Sequence, residues 1–246
     1  MAACETSDLV RALEQHFGID VAQTDLPQGL DGAAWQSDRF RLVLLARTGG
    51  WTRQRFTLAH ELGHILARDA QEMLIETHLA PGRQKDRTEI RANVFASNFL
   101  MPQAEIHAVV TAESPDSHVS DDVFRALVVR FKVSPSALAA RLHQLGLVTA
   151  DYRNRLRGVT TEVCHLLAQH ADLHEKRVAA ARARRLPLGP ARGLYEGYLA
   201  GDTTLRPLAA YFDMDVEELR DALAPEPPAA TAPTADAEKG DLIFQP

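Results

Sequence analysis

The chain has 246 residues and a mass of 27.1 kDa, with 46% apolar and 24% charged residues, the make-up of a soluble globular protein with room for one medium domain and an accessory piece. No apolar run approaches the roughly eighteen residues of a membrane span. The start, MAACETSDLV, lacks the basic-then-apolar pattern of a signal peptide, and Cys4 and Cys164 are too few for a disulfide framework or a cysteine zinc site, so a reducing cytoplasm is the expected setting. The net charge of −6 hides an asymmetry: residues 1–120 carry 11 Lys and Arg against 16 Asp and Glu, residues 121–192 carry 13 against 6, and residues 193–246 carry 3 against 11. A basic middle between acidic ends reads either as a solvated helical surface docked on acidic neighbours or as a weak footprint for nucleic acid.

In chain order, Leu9, Val10, Leu13 and Phe17 share one face of a predicted helix over 7–17, with Ser7 as N-cap and Gly18 as the stop. Residues 19–36, with Pro27, Gly29 and Gly32, read as turn-rich. Phe40 to Ala46 reads as a strand, with AAWQ before it as a hairpin partner, and Gly49-Gly50 breaks the pattern. Phe56, Ala59, Leu62, Ile65 and Leu66 predict a helix over 52–68, and Ile90, Val94, Phe95, Phe99 and Leu100 predict another over 86–101. Helices over Asp121–Phe131 and Pro135–Leu145 follow, the second marked by Ser134 as N-cap, Pro135 at its first position and Gly146 past its end. Residues 151–186 read as helical, alanine-rich and basic. After a turn at Leu188-Gly189-Pro190, helices fit 191–200, 204–212 and Val216–Leu223. From Ala224 the low-complexity sequence APEPPAATAPTADAEKG reads as a tail, ending in the apolar cluster Leu242-Ile243-Phe244.

The chemistry lies in His60-Glu61-Leu62-Gly63-His64. Histidines four apart on a helix share a face about one turn apart, where one Zn²⁺ can take both; Mn²⁺ or Fe²⁺ suit the same donors. Glu61 is rotated off that face by about 100°, which points it beside the metal, where a general base for an activated water belongs. A catalytic zinc needs a third protein ligand. Glu89, 25 positions after His64 in the first turn of the next long helix, offers one, although Asp86-x-x-Glu89 reads equally as a capping box. His78, His107 and His118 are further donors. Asn93, four residues after Glu89, is placed to fix the far nitrogen of a ligating histidine. Tyr152 is a candidate oxyanion donor. No nucleophile elbow, P-loop or dinucleotide glycine signature is present.

Arg55-Phe56-Thr57-Leu58-Ala59-His60-Glu61-Leu62-Gly63-His64, Glu89-Ile90-Arg91-Ala92-Asn93-Val94-Phe95-Ala96 and Phe99-Leu100-Met101-Pro102 resemble the ImmA/IrrE family of zinc metallopeptidases. With Val133-Ser134-Pro135-Ser136-Ala137-Leu138, the resemblance extends over roughly residues 7–148. It implies an α+β fold, a mainly helical, minimal zincin-like metallopeptidase core with a small sheet, here followed by a helical C-terminal extension. It also implies zinc on His60, His64 and Glu89 with Glu61 as base. The expected activity is hydrolysis of a peptide bond in a partner helix-turn-helix repressor, derepressing stress-response or mobile-element genes.

The expected layout is a core at 1–118, a helix-turn-helix-like segment at 119–150, a helical extension at 151–223 and a disordered tail at 224–246. Residues 121–146 have the length of a DNA-binding helix-turn-helix. The second helix, however, offers only Arg141, His143 and Gln144 as long polar readers, so packing on the core or docking of the repressor is the stronger reading. An extended substrate is expected to pair with a sheet edge, assigned here to the Phe40–Ala46 strand. The competing functions are a non-cleaving, metal-holding regulator that sequesters a repressor or DNA, and one half of a toxin–antitoxin-like pair. Glu61→Gln separates cutting from sequestration.

Overall fold

A computed structural model describes residues 4–38, 40–69, 74–77 (backbone only), 87–114, 118–156 and 158–224. The chain divides into two compact units, Met1–Gly193 and Leu194–Pro246.

In the first unit, α1 (Thr6–Phe17) ends at Gly18, whose φ of 60° is the left-handed conformation that closes a helix cheaply with glycine. It is followed by β1 (Ile19–Thr24), β2 (Leu30–Gln36) and β3 (Arg41–Ala46), and then by α2 (Trp51–Ala67) and β4 (Leu74–Thr77). The sheet order is β1-β3-β2-β4, with β1 parallel to β3 and the other two pairs antiparallel. Two expectations need correction here. Residues 19–36 contain two strands, β2 taking in the expected AAWQ hairpin partner of β3 and β1 not anticipated: Pro27 and Gly29 occupy only their connection, and Gly32 lies within β2. The cause is that β1 alternates Ile19, Val21 and Gln23 inward, and the buried Gln23 breaks the apolar pattern. The other correction concerns β3, which is paired on both sides and is therefore not an edge; Phe40 lies just outside it. The outer side of β1 is partly taken by a bridge between Gln23 and Arg185, whereas β4 is hydrogen-bonded on one side among the described residues.

One sheet face is covered by Leu9, Val10 and Leu13 of α1 and by Leu58, Leu62 and Ile65 of α2, packed on Ile19, Val21, Val43 and Leu45. The opposite side of α2 enters a second core. There Ala59 meets Ala96 and Leu100 of α3 (Arg87–Leu100), Ile106 and Val110 of α4 (Gln103–Glu113), Phe124, Leu127 and Phe131 of α5 (Asp121–Phe131), and Leu138 and Leu142 of α6 (Pro135–Gln144). Helix α2 thus runs between two cores, and every residue from Thr57 to Ile65 is buried. Gly63 makes the crossing with α3 possible: a Cβ there would stand 3.2 Å from Ala92 Cα and 3.1 Å from the Phe95 ring.

The α5–α6 pair has the expected capped turn, with Ser134 accepting from Ala137 N. It is an internal element, however. Arg141 is 4% exposed and donates to Met101 O, Asn98 Oδ1 and Gln144 Oε1, and His143 Nδ1 donates to Val148 O, so each of the three supposed base readers is engaged within the protein, although Gln144 is exposed.

The 151–186 stretch is helical as expected, divided into α7 (Ala150–Leu156), α8 (Thr161–Leu167), capped by Thr160, and α9 (Ala171–Arg182). Gln169, at φ 61°, turns the chain between the last two. Leu188-Gly189-Pro190, expected as a turn, opens α10 (Leu188–Leu199), with Asp20 accepting from Gly189 N. The second unit holds the end of α10, α11 (Arg206–Phe212) and α12 (Val216–Leu223), the last capped by Asp215, and it buries Leu205, Leu208, Ala209 and Leu219. The Leu242-Ile243-Phe244 cluster lies outside the described residues. Among the described residues no helix is long and apolar enough to cross a membrane.

Candidate metal centre

Helix α2 carries His60, Glu61 and His64, which are 6%, 1% and 1% exposed. The packing of α3 at Gly63 and Ala92 brings Glu89, in its first turn, opposite the two imidazoles. His60 Nε2 and His64 Nε2 are 3.0 Å apart, and the Glu89 carboxylate lies 3.3 Å from the first and 3.5 Å from the second. Bonds of about 2.0–2.1 Å at a tetrahedral ion hold their donors roughly 3.3 Å apart, so this triangle has the dimensions of three ligands around one small divalent cation. Two nitrogens and a carboxylate also match the donor set of hydrolytic metal sites. Among the described residues these three alone form such a His/Cys/Asp/Glu group, with all ligand atoms within 4.8 Å.

The far side of each ring is also engaged. His60 Nδ1 donates to Asn93 Oδ1 at 3.1 Å, and His64 Nδ1 donates to Asp69 Oδ1 at 3.0 Å. An acceptor at each Nδ1 keeps the proton there and turns the Nε2 lone pair toward Glu89. Asp69 was not anticipated from the sequence. It reaches His64 because α2 ends at Arg68 in the left-handed conformation, φ 59°, which folds the chain back so that Asp69 N bonds His64 O. Arg91 of α3 then pairs with Asp69, tying the end of α2 to the helix that supplies Glu89 and Asn93. A carboxylate five residues past the second histidine, just beyond the helix end, was the available signal.

The Glu61 carboxylate, fully buried one residue after His60, lies against β2. A Cβ added to Gly32 would overlap Thr57 Cγ2 and stand 3.3 Å from Glu61 Oε1, so the strand passes directly over the carboxylate and only glycine fits there. Reading Gly32 as a turn residue missed this.

The remaining candidates fall elsewhere. His107 is half-buried on α4, 3.5 Å from Gln103 Nε2, and His118 is exposed. His78 and Asp86 lie outside the described residues. Tyr152 donates to Asp121 Oδ1 at 2.8 Å; burial and the neighbouring carboxylate push its hydroxyl up to about 12, so it serves the α5–α7 contact.

Residues 14–143 match the family model described as the IrrE N-terminal-like domain. The chain belongs to the ImmA/IrrE family of metallopeptidases. Its fold is accordingly a mainly helical, zincin-like α+β core with a small sheet. Over 127 residues it is 29% identical to the radiation response metalloprotease IrrE of Deinococcus deserti, a stretch covering 50% of this chain and 45% of that protein. The chain thus spans less than half the length of this curated relative.

Proposed function

We propose that this protein is a zinc endopeptidase whose metal is held by His60, His64 and Glu89, whose general base is Glu61, and whose substrate is a helix-turn-helix repressor; Mn²⁺ and Fe²⁺ suit the same donors. The observation that carries the reading is the convergence of two Nε2 atoms and one carboxylate within 3.0–3.5 Å, with a buried glutamate next in sequence. Asn93 and Asp69 orient the two imidazoles.

When bound, a zinc ion supplies Lewis acidity that acidifies water and polarises a scissile carbonyl. Glu61 accepts the proton of the attacking water and delivers it to the leaving amine. Its burial beneath β2 holds the carboxylate in one orientation and limits competing water. An extended substrate segment adds to the sheet at β4, whose backbone is hydrogen-bonded on one side among the described residues; this replaces the assignment to β3. In this layout residues 1–118 form the catalytic core, 119–150 buttress it, 151–223 extend it, and the protein acts in the cytoplasm, where it releases repressed stress-response or mobile-element genes.

The test is incubation of the purified chain with a helix-turn-helix repressor, with zinc or with chelator, read by intact mass. Discrete fragments that require metal and vanish in Glu61→Gln support the proposal. An intact repressor retained in a stable complex would favour sequestration instead.

A further inference from the structure

Away from the metal triangle, the face where α1 and α9 flank β1 holds a cavity of about 620 Å³, within the size range of small-molecule sites. Its residues share none with the His60, His64 and Glu89 group. Val10, Trp51 and Leu173 give it apolar walls. Its charges are unevenly matched. Glu5 accepts from Arg177 Nε at 3.0 Å and from Nη2 at 2.8 Å, and Glu14 accepts from Arg185 Nη1 at 2.7 Å, so both lining carboxylates are spent on lining arginines. Of the other lining cations, Arg11 is exposed and lies 3.9 Å from Asp8, whereas Lys176 and Arg184, both exposed, have no ion pair among the described residues. An apolar cavity with surplus cations at its rim selects a ligand with an apolar body and an anionic head.

We propose that this cavity is a binding site for an amphipathic organic anion, its body against Trp51 and Leu173 and its carboxylate, sulfonate or phosphate facing Lys176 and Arg184. Trp51 and Gln54 belong to α2, so the ligand rests on the N-terminal turn of the helix that carries His60 and His64.

The chain has two tryptophans, so Trp35→Phe leaves Trp51 as the sole indole reporter. In that background, 1-anilinonaphthalene-8-sulfonate is titrated while Trp51 emission is followed, and the uncharged N-phenyl-1-naphthylamine serves as the matched body without a head. The expected result is saturable quenching with one probe per chain. Lys176→Glu with Arg184→Glu weakens it about tenfold or more, the naphthylamine binds comparably more weakly, and Ala180→Phe, which fills the cavity from an exposed position on α9, abolishes it with the circular dichroism unchanged. Quenching that persists in Ala180→Phe would overturn the site. Equal binding of charged and uncharged probes, indifferent to the charge reversals, would overturn the anion. Absence of any quenching would overturn both.

Discussion

The two ends of α2 bury polar side chains in opposite ways. At its beginning, donors meet acceptors. Trp51 Nε1 donates to His174 Nδ1, Gln54 Nε2 donates to Ala46 O and Ala181 O, and the Arg177 guanidinium lies 4.9 Å over the Trp51 ring while pairing with Glu5. Arg177 also donates to His165 Nε2 at 2.9 Å, and His165 Nδ1 donates to Thr161 O, which fixes a neutral ring; burial, mainly, holds its titration below 6.5. At the other end three electron-pair donors converge on one point. A proton can bridge one pair of them, whereas a divalent cation satisfies all three. Complementary burial builds a scaffold, and convergent like-polarity burial builds a metal site.

The largest way to break this contrast is at the convergent end. His60→Ala should reduce bound metal from about one per chain to almost none. Glu61→Gln should keep the metal and lower peptide hydrolysis by about 10²–10⁴-fold, measured as metal content and cleavage rate. Loss of metal in Glu61→Gln would make Glu61 part of the binding set and blur the division of labour. Next, Asp69→Ala should weaken metal affinity by about 10–100-fold with the fold intact, as read by competition with a chromogenic chelator, because His64 loses the partner of its far nitrogen.

At the complementary end the same kind of change should act on stability alone. Arg177→Ala leaves Glu5 and His165 without that partner and should cost about 1–3 kcal/mol in urea unfolding, with metal stoichiometry unchanged. The smallest effect is a pH slope. Because the folded His165 resists protonation relative to the unfolded chain, the unfolded state takes up the extra proton as pH falls below 6.5, and stability should decline over that limb. His165→Gln should flatten it. Glu5 acts in the same sense at lower pH: its carboxyl is held below 4.5 by Arg177 and Lys132 against the opposing effect of burial, so its contribution is complete above 4.5 and fades as pH falls through its folded value.

Much of the convergent end was legible in sequence because it is local. The spacing of His60 and His64 follows from the helical repeat alone, and Ser134, Pro135 and Gly146 mark the two ends of α6 for the same local reason. The placement of Glu89 opposite the histidines depends on the crossing of α2 and α3 at Gly63, which periodicity does not report. Asp69 and Gly32 were missed because their importance comes from a backbone reversal and from a strand passing over a helix. The complementary end was almost invisible: Glu5 and Arg177 are 172 positions apart, and neither belongs to a motif. The β1 strand was hidden by the inward Gln23, whose amide donates to Ala180 O, Ala181 O and Ala183 O of a segment more than 150 residues away.

The most direct test of the metal centre is native mass spectrometry of the folded chain with added zinc, comparing wild type, Glu61→Gln and Glu89→Ala. The geometry predicts one metal per chain in wild type and in Glu61→Gln, and loss or strong weakening in Glu89→Ala. A folded wild type that takes up no metal, or a Glu89→Ala variant that binds it as tightly as wild type, would contradict the three-ligand site.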